Sequence, residues 1–120
     1  MYQKARYDAN SLQYQKDALV TLSTVKPDIS MQLLHGALGL CTEVGELQDA
    51  IKRMFYGKAL DAENIIEELG DLEWYMAAIR DALDVTQAEV QARNIIKLKT
   101  RYAEKFTKHE AIERRDKNNG

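Results

Sequence analysis

Two segments of the chain carry an apolar residue every three or four positions, and this spacing constrains the fold more than any other feature. The apolar positions are 33, 37, 40, 44, 47, 51 and 54 in the first segment, and 65, 69, 72, 76, 79 and 83 in the second. Alternating steps of three and four place side chains on one stripe of an α-helix. The sequence therefore predicts two long helices that pack through these stripes, with Ala37, Val44 and Ile51 in the contact of the first.

Residues that begin or end helices extend this prediction to most of the chain. The 120 residues include one proline and six glycines, and this scarcity favours long helices over many short strands. A first helix is expected from about residue 2 to 24, and a fourth should start at the capping box of residues 86–89 and reach Phe106. The expected boundaries between them are Pro27, Asp28 or Ser30, Gly57 and Asp61.

Together these helices predict an all-α fold, an antiparallel bundle of four to five helices. Short connections favour antiparallel neighbours. The chain is expected to form a single domain over residues 1–120, with a core at about 28–106. A charged tail without an apolar stripe follows at about 107–120, either as a short helix at the rim or as a mobile end.

Composition and charge limit the partners and the compartment. The net charge of −2 provides no basic excess for general nucleic-acid binding. Cys41 is the only cysteine, so it cannot form an internal disulfide, and no zinc-binding cluster accompanies it. No signal peptide or membrane-spanning run is evident. We expect a soluble cytoplasmic protein with neither membrane nor nucleic-acid partners.

Two pairs of acids have the same position relative to the two apolar stripes. Glu43 and Glu46 each directly precede a stripe residue of the second helix, and Glu68 and Asp71 do the same on the third. Residues three apart share a helix face, so neighbouring helices with this offset can direct four carboxylates to one region. Glu67 could replace Glu68, but the spacing favours Glu68.

Four carboxylates held close together repel each other unless some protonate or a cation neutralises them. Carboxylate oxygens are hard ligands that suit Mg²⁺ or Mn²⁺. Acids beside an apolar stripe are also common as solvated flanks of a helix contact, and one such pair alone would favour that interpretation. Two pairs at one offset, together with a row of cations on the fourth helix, leave a metal site and a charged surface as equal alternatives.

The fourth helix repeats the offset with different side chains. Asn94, Lys97 and Arg101 each directly precede a stripe residue. An amide and two cations are suitable donors for an anion bound near a metal, because Arg can contact phosphate oxygens in a bidentate way. The combined pattern of acids, divalent metal and cations fits a polyphosphate substrate.

Three segments in order resemble the MazG-like family of all-α nucleotide pyrophosphohydrolases. They read GLCTEVGELQDAIK, IIEELGDLEWYMAAI and RNIIKLKTRYAEKF, and they contain the ExxE, spacer, ExxD pattern that marks the family. The resemblance covers residues 35–106. Many members have proline where this chain has Ala103, a difference expected to alter only the turn after the helix.

The resemblance implies Mg²⁺-dependent cleavage of a nucleoside triphosphate between its α and β phosphates. Four acids match the family's metal ligands. They would bind Mg²⁺, which Mn²⁺ could replace, and would also act as catalytic residues. The residues that match the family's phosphate-binding positions would hold the substrate, and members usually form homodimers or dimers of dimers. The first set is Glu43, Glu46, Glu68 and Asp71, and the second is Asn94, Lys97 and Arg101.

Two alternatives remain open from the sequence. The first is a hydrolase of the same fold that is selective for dUTP or dCTP, since only the base pocket would differ. The second is a non-catalytic helical module that forms oligomers through the same stripes, because fold alone does not guarantee function. Trp74 and Tyr75 could stack on the base, and His35 could contact the base or a phosphate, although packing is favoured for Trp74 and a structural role for His35.

Overall fold

A computed structural model of the chain describes residues 10–22 and 28–119. Within these residues it contains five α-helices and no strand, which confirms the all-α class. It divides into two compact units, residues 1–86 and 87–120, and each is described by itself. Both ends of the predicted first helix, at 2–9 and 23–24, and the boundary at Pro27 lie outside the described residues. The helices are α1 (Ser11–Leu19), α2 (Ile29–Phe55), α3 (Ala62–Leu83), α4 (Gln87–Arg101) and α5 (Ala103–Asn119).

The helix boundaries around α2 and α3 lie where the sequence predicts them. Asp28 caps α2 by accepting a hydrogen bond from the Met31 amide at 2.9 Å. Asp61 caps α3 in the same way, through the Asn64 amide at 3.1 Å. Gly57 follows α2 with φ +82°, a backbone conformation that favours glycine, so the predicted stop is confirmed.

Helices α2 and α3 form an antiparallel hairpin. Near the start of α2, the Gln32 side-chain amide donates to the Ala78 carbonyl at 2.8 Å, close to the end of α3. Two turns later the Tyr75 ring lies directly against Gly39, where a Cβ atom would be 2.1 Å from the ring. Gly36 receives the Ile79 side chain in the same way. The two glycines therefore let α3 approach the backbone of α2 closely.

The contact face of α2 differs from the predicted stripe. Its buried residues are Gln32, Gly36, Gly39 and Ala50, and Glu43 lies on the same side of the helix. The prediction that Ala37, Val44 and Ile51 lie in the core of this chain is wrong, since all three are exposed. The glycines explain the difference, because they provide room for the α3 side chains one position before the apolar stripe.

Helix α1 is held against α3 by side-chain hydrogen bonds. The Trp74 indole donates to the Ala18 carbonyl at 3.0 Å and to the Thr21 hydroxyl at 2.8 Å. Buried Arg80 donates to the Gln15 side chain at 3.1 Å. None of the residues of α1 is buried, so these polar contacts contribute much of its attachment. Trp74 thus has the packing role that the sequence favoured.

The second unit consists of α4 and α5. The predicted start of α4 at the 86–89 capping box is confirmed, but its predicted extension to Phe106 is wrong, because a turn at Tyr102 separates the helices. Residues 107–119, predicted as a charged tail, belong to α5. Their apolar content is too low for a buried stripe, yet ion pairs one turn apart, such as Lys108 with Glu104 at 3.5 Å, support the helix.

None of the helices in the described ranges is both long and apolar enough to cross a membrane.

Candidate metal centre

Three of the four predicted acids meet between α2 and α3. Glu43 projects from the contact face of α2, and Glu68 and Asp71 come from the facing part of α3. One carboxylate oxygen from each residue lies within 4.8 Å of the other two. The antiparallel pairing brings them together, because position 43 of α2 lies opposite the turn of α3 that carries positions 68 and 71. A single cation can contact three oxygens at such separations.

The fourth acid, Glu46, lies outside this group of three. It is exposed, one turn further along α2. Its charge still acts on Glu43, where it contributes to raising the pKa of that carboxyl group. A role for Glu46 as a metal ligand therefore stays a prediction, and it would require the side chain to turn toward the other three.

The electrostatics of the cluster favour a bound positive charge. The pKa of Glu43 is raised above its ordinary value, first by loss of hydration and then by a side-chain hydrogen bond with Glu68. Repulsion from the carboxylates of Asp71, Glu68 and Glu46 raises it further. A cation bound among these carboxylates would remove the same repulsion that raises the pKa of Glu43.

One oxygen of the cluster has no partner. Glu68 Oε2 is buried and makes no hydrogen bond within the described residues. Leaving a buried carboxylate oxygen unsatisfied is costly, and such an atom in a native structure calls for a water or an ion. The donor set consists of carboxylates alone, which suits Mg²⁺ or Mn²⁺ better than a softer metal. The residues thus fit the cation that the sequence analysis predicts.

The raised pKa of Glu43 predicts a pH dependence for the metal-free protein. A folded state that holds a proton more tightly than the unfolded chain is stabilised below the ordinary pKa of 4.5, and this contribution is lost as the pH rises through the raised value. We expect the melting temperature of wild type, relative to Glu43→Gln, to fall as the pH increases above 4.5 without divalent ions. Scanning calorimetry of both proteins across this range measures the difference, and parallel curves would contradict the prediction.

The predicted phosphate-binding residues lie on α4, in the second unit. Asn94, Lys97 and Arg101 are all exposed, and their spacing places them along one side of that helix. No acid in the described part of the chain forms an ion pair with Lys97 or Arg101. Both side chains can therefore accept an anion, while their contact with a nucleotide stays a prediction.

An aromatic group follows the acid cluster by one turn of α3, and the sequence indicated it only in part. The Tyr75 ring, one turn beyond Asp71, makes edge contacts with His35 at 5.9 Å and with Trp74 at 5.1 Å between ring centres. The ring position depends on Gly39, which the apolar pattern did not mark. The GxxG spacing of Gly36 and Gly39 was the signal that could have indicated a close helix contact.

Comparison with known proteins agrees with this geometry. The model of the MazG nucleotide pyrophosphohydrolase domain matches residues 34–106, which is more than half of the chain and includes all four acids. The chain belongs to the MazG family. The match begins within α2 and ends within α5, so α1 lies outside the matched region.

One curated relative of this MazG chain comes from a bacteriophage. The Gene 37 protein of Mycobacterium phage L5 is 35% identical over 74 residues, a stretch that covers 58% of this chain and 65% of the relative. The chain thus spans slightly less than two thirds of that protein's length, and its printed name states no activity. No solved structure matches the chain significantly.

Proposed function

We propose that this MazG chain hydrolyses a ribo- or deoxyribonucleoside triphosphate between the α and β phosphates. The products are the nucleoside monophosphate and pyrophosphate, and the purpose is control or cleaning of the nucleotide pool. The observation that carries the proposal is the convergence of Glu43, Glu68 and Asp71, with a buried, unpartnered oxygen on Glu68. Such a centre is suited to a divalent cation bound to a polyphosphate.

The acids would hold Mg²⁺, or Mn²⁺ in its place, with Glu46 as the fourth ligand. When bound, this cation supplies positive charge for the phosphates and lowers the pKa of a bound water. One carboxylate of the cluster accepts the proton of the attacking water. The water oxygen forms the new bond to the α phosphorus. The P–O bond between this phosphorus and the α–β bridging oxygen breaks, and pyrophosphate leaves with the electron pair.

The proposed substrate contacts come from α4. Arg101 binds phosphate oxygens through its planar guanidinium group, and Lys97 acts as a compact positive charge. The Asn94 amide donates a hydrogen bond to the same group of oxygens. We further propose that the chain acts in the cytoplasm as a homodimer or a dimer of dimers, as the family resemblance implies.

A pyrophosphate-release screen over common ribo- and deoxyribonucleoside triphosphates, with Mg²⁺ or Mn²⁺, tests the activity. We expect turnover that requires the metal and yields equal amounts of monophosphate and pyrophosphate. Lys97→Met and Arg101→Met should raise the KM by about tenfold or more, the scale of one charge-assisted hydrogen bond. Lys117→Met, an exposed cation near the end of α5, is the matched control.

The outcomes of the screen separate the remaining alternatives. Turnover confined to dUTP or dCTP would identify the selective hydrolase. No release from any nucleotide with either metal, by protein that is folded and binds the metal, would contradict catalysis and indicate a binding module. Unchanged KM values in both α4 variants would contradict the phosphate-binding role of that helix.

A further inference from the structure

Helix α1 is attached to α3 largely through the side chain of Gln15. Its amide nitrogen donates a hydrogen bond to the Ala77 carbonyl at 2.6 Å, and its oxygen accepts one from the buried Arg80 guanidinium at 3.1 Å. These bonds replace hydrogen bonds to water, so their net stabilisation is small. An element that is held by polar contacts of this kind opens more readily than a helix packed through large apolar side chains.

The C-terminal end of α1 is completed by a residue of α3. The last four carbonyl groups of an α-helix lack the usual amide partner one turn further on. For Ala18 the Trp74 indole supplies a donor at 3.0 Å, and the same indole donates to the Thr21 hydroxyl, just after the helix, at 2.8 Å. Helix α1 has nine residues, and isolated helices shorter than about 12–15 residues are marginal in water. Its helical structure therefore depends on its contact with α3.

Trp74 also stands beside the acid cluster. It follows Asp71 by one turn, and a helical side chain leans toward the N-terminus of its helix, so the indole reaches back over the turn that carries Asp71. Its ring makes an edge contact with the Tyr75 ring at 5.1 Å between ring centres. The Tyr75 ring lies in turn against the backbone of α2 at Gly39, one turn before Glu43. The residue that holds α1 thus contacts the residue that sets the spacing between the two sides of the cluster.

The negative charge of the cluster extends to α1. Burial raises the pKa of the Tyr14 hydroxyl, and the negative charge of Glu73 raises it further. Arg80 opposes this shift, whereas Asp71 adds to it, so the charge of a cluster acid reaches α1. The C-terminal end of α1, which carries the negative end of the helix dipole, lies at Trp74. A cation bound to the cluster would therefore remove repulsion between the carboxylates and this end of α1.

We propose that cation binding at the acid cluster and docking of α1 on α3 favour each other. The cation stabilises the docked helix, and the docked helix, through Trp74 and Tyr75, holds the turn that carries Asp71 in place for the cation. Coupling free energies are reciprocal, so docking raises the cation affinity by the factor by which the cation favours docking. This inference rests on the proposed metal site and does not depend on hydrolysis. The role belongs to a helix outside residues 34–106, the region that matches the family.

Titration calorimetry of the full chain with Mg²⁺, without nucleotide, tests the effect of α1 on the cation. Gln15→Ala removes both of its bonds to α3 and should weaken Mg²⁺ binding about fivefold or more. Gln13→Ala is the matched control, because Gln13 is on the same helix but bonds to Asp17 within α1. It should leave the affinity unchanged. Equal Mg²⁺ affinities of wild type and Gln15→Ala would overturn the proposal, because a purely structural role of Gln15 would change stability alone.

Hydrogen exchange tests the reverse effect, that of the cation on α1, in the wild-type protein. Saturating Mg²⁺ should slow amide exchange in residues 11–19 about fivefold or more, whereas exchange in α5, a helix of the other unit, should change little. Unchanged exchange in α1 with Mg²⁺ bound would overturn the proposal. Equal slowing in both helices would also overturn it, because that result indicates only global stabilisation by the ligand.

Thr21→Val provides a second test that does not depend on whether Gln15→Ala folds. Valine keeps the shape of threonine but cannot accept the bond from the Trp74 indole, so Mg²⁺ binding should weaken about twofold or more. Thr107→Val, which removes a hydroxyl bonded within α5, is the control. Absence of Mg²⁺ binding to wild type would overturn the metal site and the coupling together. Binding with unaltered affinity in Gln15→Ala and Thr21→Val would overturn the coupling alone.

Discussion

Replacing Glu68 by glutamine should reduce pyrophosphate release by about 100-fold or more while increasing the thermal stability of the metal-free protein. The loss is of the size seen when one preorganised electrostatic group is removed from an active site. The gain has a different cause. Glu68 has a buried oxygen without a partner and stands within 4.8 Å of two other carboxylates, so removing its charge removes repulsion.

The opposite signs of the two effects distinguish a functional site from a structural one. A residue that only supports the fold would lose stability and activity together, whereas functional sites commonly reduce stability. We expect the melting temperature of Glu68→Gln without metal to exceed that of wild type by a few degrees. The stabilisation that Mg²⁺ gives wild type by mass action should largely disappear in the variant.

Glu67→Gln is the matched control for this experiment. Glu67 is the neighbouring residue, has the same chemistry and is exposed, but it is not among the three acids that meet. Its substitution should leave turnover and the Mg²⁺ effect close to wild type. If Glu67→Gln lost activity and Glu68→Gln kept it, the ligand assignment on α3 would have to change. Calorimetry gives the melting temperature of each variant with and without Mg²⁺, and the pyrophosphate assay gives its turnover.

The second large effect is on folding. Gly39→Ala should lower the free energy of unfolding by about 2–3 kcal/mol, the range for adding a group to a filled contact. The added Cβ would lie 2.1 Å from the Tyr75 ring, so the ring or the whole of α3 must move. Because Tyr75 follows Asp71 by one turn, this movement should also disturb the acid cluster and weaken Mg²⁺ binding.

Gly70→Ala provides the contrast. Gly70 is also inside a helix, yet nothing lies within 4 Å of its Cβ position. Alanine there should stabilise the protein by up to about 1 kcal/mol through helix propensity. Urea unfolding of wild type and both variants, at one protein concentration because association adds to stability, gives the comparison. Equal effects of the two substitutions would show that Gly39 is not the closest point between α2 and α3.

The sequence predicted the helices well because their signals are local. Asp28, Gly57 and Asp61 act on backbone groups a few residues away, so their capping roles do not depend on the rest of the fold. The end of α4 at Arg101 was missed because the apolar pattern continues to Phe106 across the turn. Periodicity records which side of a helix is apolar, and it does not record a change in helix direction.

The apolar stripe of α2 was assigned to the wrong neighbour for a related reason. A pattern of side chains shows that a face will be buried but not what will bury it. Val44 and Ile51 were expected against α3, whereas the contact with α3 is made by Gly36 and Gly39, whose small size carries no hydrophobic signal. The contact face of α2 is made of small and polar residues, so only the tertiary contacts reveal it.

The four acids separate what the sequence determines about the site from what only the tertiary structure decides. The spacing of Glu43, Glu46, Glu68 and Asp71, with the family resemblance, determined the kind of site, because residue type and helix period are both local properties. Only the antiparallel register of α2 against α3 decided that three of the acids meet and that Glu68 keeps a buried oxygen without a partner. Register depends on contacts between distant parts of the chain, such as Gly39 with Tyr75, and no local pattern fixes such contacts.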